Sequence, residues 1–589
     1  MAAVRDEDVG PTQPRTDARL RRPRTDAWLR RPTSRGFALV AIASLALALA
    51  VVKQESGPNQ AAHFALTRAL ADGTARIDPE ETIDAAYVDG HYYAAKAPGL
   101  AMFTLPWFAA LHPDGLDQGS LALSVYPDRL WEVNLFGVVL PAVALLLLIF
   151  VAVERVVPGY AGTTAVLLGA GTLLLPFATL FFGHVLSATL GFAAFVVLLV
   201  ERGGPPRPWI TGAAGLLAGL AVVAEFPLAI VVLVLGAFVW AGEPRALRLA
   251  SYATGALVGL VPLLAYNTWA FGSPLRLSYT NALEAPAGEG PPLVGANDEG
   301  FYGVGFPDLR SGLSLLLSEK GLVVVTPLAI VALAGWPLLW RSGRRAETLV
   351  CAAIPVLFGA YNASYYLPFG GQGPGPRFLV PAIPFLALPL AFALRARPLL
   401  VAGIGVASVT VMVLATLTSP LTGVEYGIGT WLGELRRGEL VRTVVGSLGV
   451  GNAWLAAVPF VGFLVLALAI ALAHLPLRDR LGSDGTLLAG ALLAWLLVVL
   501  VTPDLLPADA EHGTTVGALA AVVLVASLGI ALFLARTRGF PALLAIAPAL
   551  VLAAPQLASR PRLSLLVAVA AMAVAASVGW RLRPDRGPT

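Results

Sequence analysis

The constraint that governs this chain is a succession of apolar runs, 36–52 and then 131–153, 160–180, 184–200, 209–225, 227–241, 249–270, 321–340, 347–366, 377–394, 398–417, 453–473, 485–502, 514–535, 539–556 and 562–580. Spanning about 30 Å of hydrocarbon takes about 20 apolar residues in a helix, and many of these runs approach that length. With 57% hydrophobic and 13% charged residues and a mean hydropathy of +0.77, the chain lies far from the soluble average of about a quarter charged. The expected fold is an all-α polytopic membrane protein of about 13–16 transmembrane helices, with a large first external loop carrying short interfacial helices.

The net charge of +4 argues for topology rather than for nucleic acid, because the arginines stand in short clusters between apolar runs, as the positive-inside rule requires. Counting from a cytoplasmic N-terminus, Arg202/Arg207, Arg245/Arg248, Arg341/Arg344/Arg345, Arg395/Arg397, Arg478/Arg480, Arg536/Arg538 and Arg581/Arg583 all fall inside. Only Arg560 and Arg562 break the parity. Cys351 is the single cysteine, so neither an intrachain disulfide nor a cysteine-based metal site is expected. Residues 1–35 are Arg-rich without apolar periodicity and read as a disordered cytoplasmic tail. They carry a tandem repeat, RTDARLRRP at 15–23 and RTDAWLRRP at 24–32.

The external loops on this count include 53–129, 271–320, 367–376 and 418–450. Loops as long as the first, second and fourth of these usually serve a function. In the first, 59–72 (NQAAHFALTRALAD) has helical apolar spacing and predicts a helix along the interface, and 87–93 alternates around Asp89-Gly90, a hairpin signal. The run 98–111 is too short and too Pro-broken to span. In the second loop the centre, NALEAPAGEGPPLVGAND, reads as flexible, and in the fourth 430–441 suits a short amphipathic helix.

Ionisable groups near membrane depth are costly and need a partner or a task. Glu55 and Asp84 are candidate bases, a partly buried carboxylate being suited to deprotonating a hydroxyl; a solvated boundary position for Glu55 and a capping role for Asp84 are the alternatives. Asp89 is a turn former, its side chain serving local backbone bonds, with a role as base the alternative. Lys96 is placed to hold a phosphate or an anionic headgroup. His91, Tyr92 and Tyr93 offer a platform for a sugar or belong to an aromatic belt. His184 is a helix-end cap or a cavity residue, and Glu225 is a second buried carboxylate or part of an interfacial turn. In 361–381 (YNASYYLPFGGQGPGPRFLVP) the glycines expose backbone N–H groups and Arg377 opens the next helix, a combination that binds an anion or makes a plain turn. The histidines are scattered, without metal-ligand spacing, and no Walker or Rossmann fingerprint is present. Neither a cofactor nor a metal is expected.

Taken in order, NQAAHFALTRALADG, TIDAAYVDGHYYAAKAPGLA, FFGHVLSA, GLAVVAEFP, YNTWAFGSP, SEKGLVVVTP and YYLPFGGQGPGPRFLVPAIPF resemble bacterial members of the GT-C superfamily. These are polytopic glycosyltransferases related to protein O-mannosyltransferases and lipid A aminoarabinose transferases. The likeness covers about 36–395, a catalytic module, and leaves 396–589 as helices of unassigned role; GHYY-x-x-KAPG is its most specific part. It implies an inverting transfer from a polyprenyl-phosphate sugar to a glycan, lipid or protein acceptor, at an extracytoplasmic site in the plasma (inner) membrane. An acidic residue of the first external loop would be the base, and Arg377 and Lys96 would hold the carrier phosphate. Glu55 stands where the family often has an acidic pair, but Glu-Ser replaces that pair, which turns attention to Asp84. A transporter or flippase of lipid-linked sugars and a surface-polysaccharide ligase are the alternatives; the first predicts inverted repeats with broken midplane helices, whereas the polar groups here gather in external loops.

Overall fold

A computed structural model describes residues 34–48, 51–53, 57–78, 84–111, 130–283, 295, 297, 300–421 and 427–505. The tail repeat, Glu55, the centre of the second loop and the runs beyond 505, with Arg560 and Arg562, lie outside the described residues. The protein is an all-α polytopic membrane protein. Among the described residues seven helices are long and apolar enough to cross a membrane, and an eighth span is made if a pair bent by 95°, Leu309–Val325 with Pro327–Arg341, counts as one.

Six helices position the site. They are α1 (Pro58–Ala71), α2 (Gly99–Leu111), α3 (Gly183–Glu201), α4 (Pro208–Ala224), α5 (Arg245–Phe271) and α6 (Arg345–Ser364), followed by a 3-10 stretch, Arg377–Leu386, that runs on into Ala387–Ala396. The α4 and α5 backbones pack directly on each other because Gly212 and Gly219 on α4 meet Gly255 and Gly259 on α5, and Gly215 lies against the Tyr252 and Ala256 backbone. A Cβ on Gly219 would lie 3.0 Å from the Gly259 Cα, and one on Gly255 would lie 2.8 Å from the Gly212 carbonyl carbon. Such small-residue seams replace the hydrophobic drive that lipid removes between helices. At the far end of α3, Glu201 receives both guanidinium nitrogens of Arg248 from α5 at 2.6 and 2.7 Å, both side chains being buried.

Among the described residues two apolar runs are broken. The run 160–180 divides into Ala161–Ala170 and Leu174–Phe177, and 321–340 divides at Thr326 and Gly335 into Leu322–Val325, Pro327–Leu333 and Trp336–Arg341. In the second case Pro327 and Pro337 each open a new helix, where a missing N–H costs nothing. Helices Pro398–Leu417 and Ala453–Ala473 contribute Val401, Met412, Phe460 and Leu464 to the same continuous core as α3 and α4.

The first loop builds its own small layer. Strands β1 (Ala85–Val88) and β2 (His91–Ala94) pair antiparallel with Ala85 opposite Ala94 and Val88 opposite His91. Asp89 and Gly90 form the two-residue turn with φ of 50° and 87°, the left-handed pair that such hairpins require. Helix α1 is buried at Asn59–Thr67, and α2 leaves Phe103, Trp107 and Leu111 exposed.

Candidate active site

The hairpin register explains how two residues far apart in sequence come together. Ala85 pairs with Ala94 and the Ala95 N–H donates to the Asp84 carbonyl at 2.8 Å, so Asp84 and Lys96 flank the open end of the ribbon. There Lys96 Nζ stands 3.1 Å from Asp84 Oδ1. Three residues on, Gly99 starts α2 against the last turn of α4, where a Cβ would lie 2.6 Å from the Ala224 Cα; only glycine permits that approach. The contact carries the Lys96 loop to the end of α4, and Glu225 caps α4.

Glu225 Oε1 is 3.1 Å from His184 Nδ1, on the first turn of α3. The His184 ring stacks on Phe182 (5.3 Å) and meets Phe177 and Phe378 edge-on, which fixes its plane. Burial, the largest single influence, works to raise the pKa of Glu225, but the charge and hydrogen bond of neighbouring His184, together with His63 and Lys96, outweigh it and hold the carboxyl below its ordinary range. Arg377 enters from the glycine-rich turn. Its Cζ lies 5.1 Å from the Phe182 ring centre and 5.4 Å from that of Phe378, and its Nη1 donates to the Gln372 carbonyl at 3.1 Å. Gly370, at φ 77°, leaves room for it, since a Cβ there would lie 2.6 Å from Nε. The Arg377 side chain is buried, and its Nε has no hydrogen-bond partner.

These groups line one cavity of about 240 Å³ together with Asn59, His63, Tyr279, Tyr365, Tyr366 and Gln372. The structure therefore brings Asp84, Lys96, His184, Glu225 and Arg377 to a single wall system. It does not bring His91, Tyr92 or Tyr93 there. Successive strand residues face opposite sides, so three adjacent side chains cannot share a surface. His91 Nδ1 sits 2.9 Å from Asp78 Oδ2 at the turn end, Tyr92 packs on Tyr87 at 5.1 Å, and Tyr93 is buried against Phe271.

Several cavity residues escaped the sequence reading. Asn59 and His63 lie one turn apart on α1, where the apolar spacing drew attention away from them. Tyr279 follows α5 in a short 3-10 turn, Ser278–Asn281; burial raises its pKa well above the ordinary value, with nearby Tyr361, Glu225 and Asp84 adding to it, so it is a neutral hydroxyl. Tyr365 and Tyr366 follow α6, and the glycine-rich turn between them and Arg377 was the available signal for that wall. Among the described residues no group of three or more His, Cys, Asp or Glu is arranged to hold a metal.

No protein-family model and no curated sequence matches the chain. Among solved structures, ArnT from Cupriavidus metallidurans in the apo state is similar over 84% of this chain and 79% of its own, at 16% identity and a TM-score of 0.44. The same protein bound to undecaprenyl phosphate is similar over 87% and 81%, at 15% identity and 0.43. The Archaeoglobus fulgidus oligosaccharyltransferase in the apo form is similar over 74% and 56%, at 13% identity and 0.38.

Proposed function

We propose that the protein is an inverting glycosyltransferase that moves a sugar from a polyprenyl-phosphate carrier to an acceptor hydroxyl at the extracytoplasmic face of the membrane. The observation that carries this reading is the cavity itself, where Lys96, Arg377 and two carboxylates meet at the ends of apolar helices. A phosphodiester needs buried, preorganised cations. Arg377 supplies one, set beside two phenylalanine rings with Nε unpartnered. Lys96 supplies the second once the phosphate displaces Asp84 from it. The displacement frees the Asp84 carboxylate to take the proton of the acceptor hydroxyl as its oxygen attacks the anomeric carbon. The carrier phosphate leaves with the electrons of the broken C–O bond, and its charge remains on Lys96 and Arg377. Helix α2 begins next to Lys96 and exposes Phe103 and Trp107, which gives an isoprenoid tail an apolar path to the phosphate.

The orientation is supported by the arginines. His184 lies in the first turn of α3 and Glu201 closes it, about 26 Å away at 1.5 Å per residue, so the Glu201–Arg248 pair and the Arg202/Arg207 linker lie at the end opposite the cavity. By the positive-inside rule that end is cytoplasmic.

The test is consumption of a panel of undecaprenyl-phosphate sugars by the purified full-length chain in lipid nanodiscs, with acceptor extracts. Transfer from at least one donor is expected. Failure to bind or consume any of them, or movement of intact donor across a sealed vesicle without cleavage, overturns the proposal.

A further inference from the structure

The polar groups of the cavity fall into two sets. In the ionic set Asp84 is paired to Lys96 and Glu225 to His184, leaving Arg377 Nε for a phosphate. In the neutral set, Asn59 and His63 project from one face of α1, are 7% and 1% exposed, and line the cavity. Asn59 Oδ1 and both ring nitrogens of His63 have no hydrogen-bond partner, and neither has His184 Nε2 across the cavity. Buried polar atoms left unpaired in this way are rare in folded proteins and mark a missing partner. Burial lowers the pKa of His63 to about 4, against the pull of Glu225, so near neutral pH its ring offers one N–H and one lone pair.

A hydroxyl both donates and accepts, so a polyol satisfies an amide carbonyl and a neutral imidazole together. An ammonium group would not serve the N–H of His63, and among the described residues no unpaired carboxylate on this wall would receive it. A carboxylate would leave the Asn59 oxygen unmatched. The cavity, at about 240 Å³, falls just below the usual range of about 300–1,000 Å³ for small-molecule sites, room for one sugar beside its phosphate. We propose that Asn59 and His63 form the subsite that reads the hydroxyls of the donor sugar, and that this sugar is uncharged. The inference rests on the glycosyl-transfer reading above and adds the substrate class.

The experiment uses the full-length chain in nanodiscs without acceptor. Binding of bare undecaprenyl phosphate is compared with binding of undecaprenyl phosphate carrying a neutral hexose, a neutral pentose or an amino-substituted pentose. Wild type should bind at least one neutral donor about tenfold or more tighter than the bare carrier, and the amino-substituted donor no better than the bare carrier. His63→Phe and Asn59→Leu should abolish the advantage of the neutral donor while bare-carrier affinity stays within about twofold, and His63→Gln, which keeps a donor and an acceptor, should restore most of it. Equal losses for bare carrier and donor would reduce the two residues to a structural role and overturn the proposal. So would preference for the amino-substituted sugar, or an effect confined to acceptor KM in turnover assays, which would assign the polyol subsite to the acceptor. If wild type binds no carrier at all, the glycosyl-transfer reading has failed; carrier binding without sugar discrimination defeats this inference alone.

Discussion

Replacing Asp84 by Asn separates two roles that the geometry gives to one carboxylate. At 3.1 Å from Lys96 Nζ it competes with a phosphate for that cation, and once displaced it is the proton acceptor. The amide keeps the size and loses both charge and basicity, so the two effects have opposite signs. At an effective dielectric constant of about 20 the gross attraction of the pair is about 5 kcal/mol, yet the side chains are 14% and 29% exposed, and partly solvated pairs retain only about 0.2–1 kcal/mol net. With about 1.4 kcal/mol per factor of ten, Asp84→Asn should tighten carrier binding by no more than about fivefold. Loss of a general base costs about 10²–10⁴ in rate. The assay is a titration with undecaprenyl phosphate alongside single-turnover donor consumption in nanodiscs. Tighter binding with collapsed turnover is expected. Turnover within a few fold of wild type would remove Asp84 as the base, and weaker carrier binding would show that the carboxylate orients Lys96 for the phosphate instead of competing with it.

Arg377→Lys keeps the charge but loses the planar fork and Nε; since hydrogen bonds to charged groups contribute about 1.5–3 kcal/mol each, carrier affinity should fall about tenfold or more in the same titration. Glu201→Gln strands a buried Arg248 and should cost about 3–5 kcal/mol, whereas the double variant Glu201→Leu/Arg248→Met should recover most of the loss, read by unfolding in detergent. His63 has a folded pKa of about 4 and an unfolded one of about 6.5, so between those values the unfolded chain binds the extra proton. Stability should therefore be unaffected by this group above about pH 6.5 and fall by about 3 kcal/mol as pH drops to about 4; His63→Phe should flatten that part of the profile.

What could be read locally was read from local rules. Asp89-Gly90 defines its turn because few dipeptides accept two left-handed residues, and 59–72 gives a helix at Pro58–Ala71 because its apolar spacing and Gly73 stop are short-range signals. Asp84, Lys96, His184, Glu225 and Arg377 were conspicuous because an ionisable group is rare in so apolar a chain. Their partners were not, since Lys96 meets Asp84 only through strand register and His184 meets Glu225 only through the packing of α3 beside α4. Asn59 and His63 were hidden for the opposite reason: neutral polar residues within an apolar helical pattern resemble the solvated face of any surface helix. His91, Tyr92 and Tyr93 were grouped by adjacency, which a helix end or loop allows and a strand forbids.

The placement of the charges at these helix ends follows from one restriction. An ionised group at the centre of the bilayer is costly, so such groups collect where helices end, and in an alternating bundle each end belongs to one face. Helix α3 begins at the cavity with His184 and finishes at Glu201; α4 returns from Arg207 to Glu225; α5 begins at Arg245 and leads to Tyr279; α6 begins at Arg345 and leads to Tyr365; the next span begins at Arg377 and finishes at Arg395. The arginine linkers and the cavity thus occupy opposite ends of the same helices without exception through this stretch, and the assignment of one end fixes the other. Thr280 and Ser342, both exposed, sample the two ends, and Cys351 is buried, so single Thr280→Cys and Ser342→Cys variants report without a competing thiol at the surface. A membrane-impermeant maleimide added to intact cells should label position 280 and reach position 342 only after permeabilisation. The reverse pattern would put the cavity on the cytoplasmic side, where the proposed extracytoplasmic transfer could not take place.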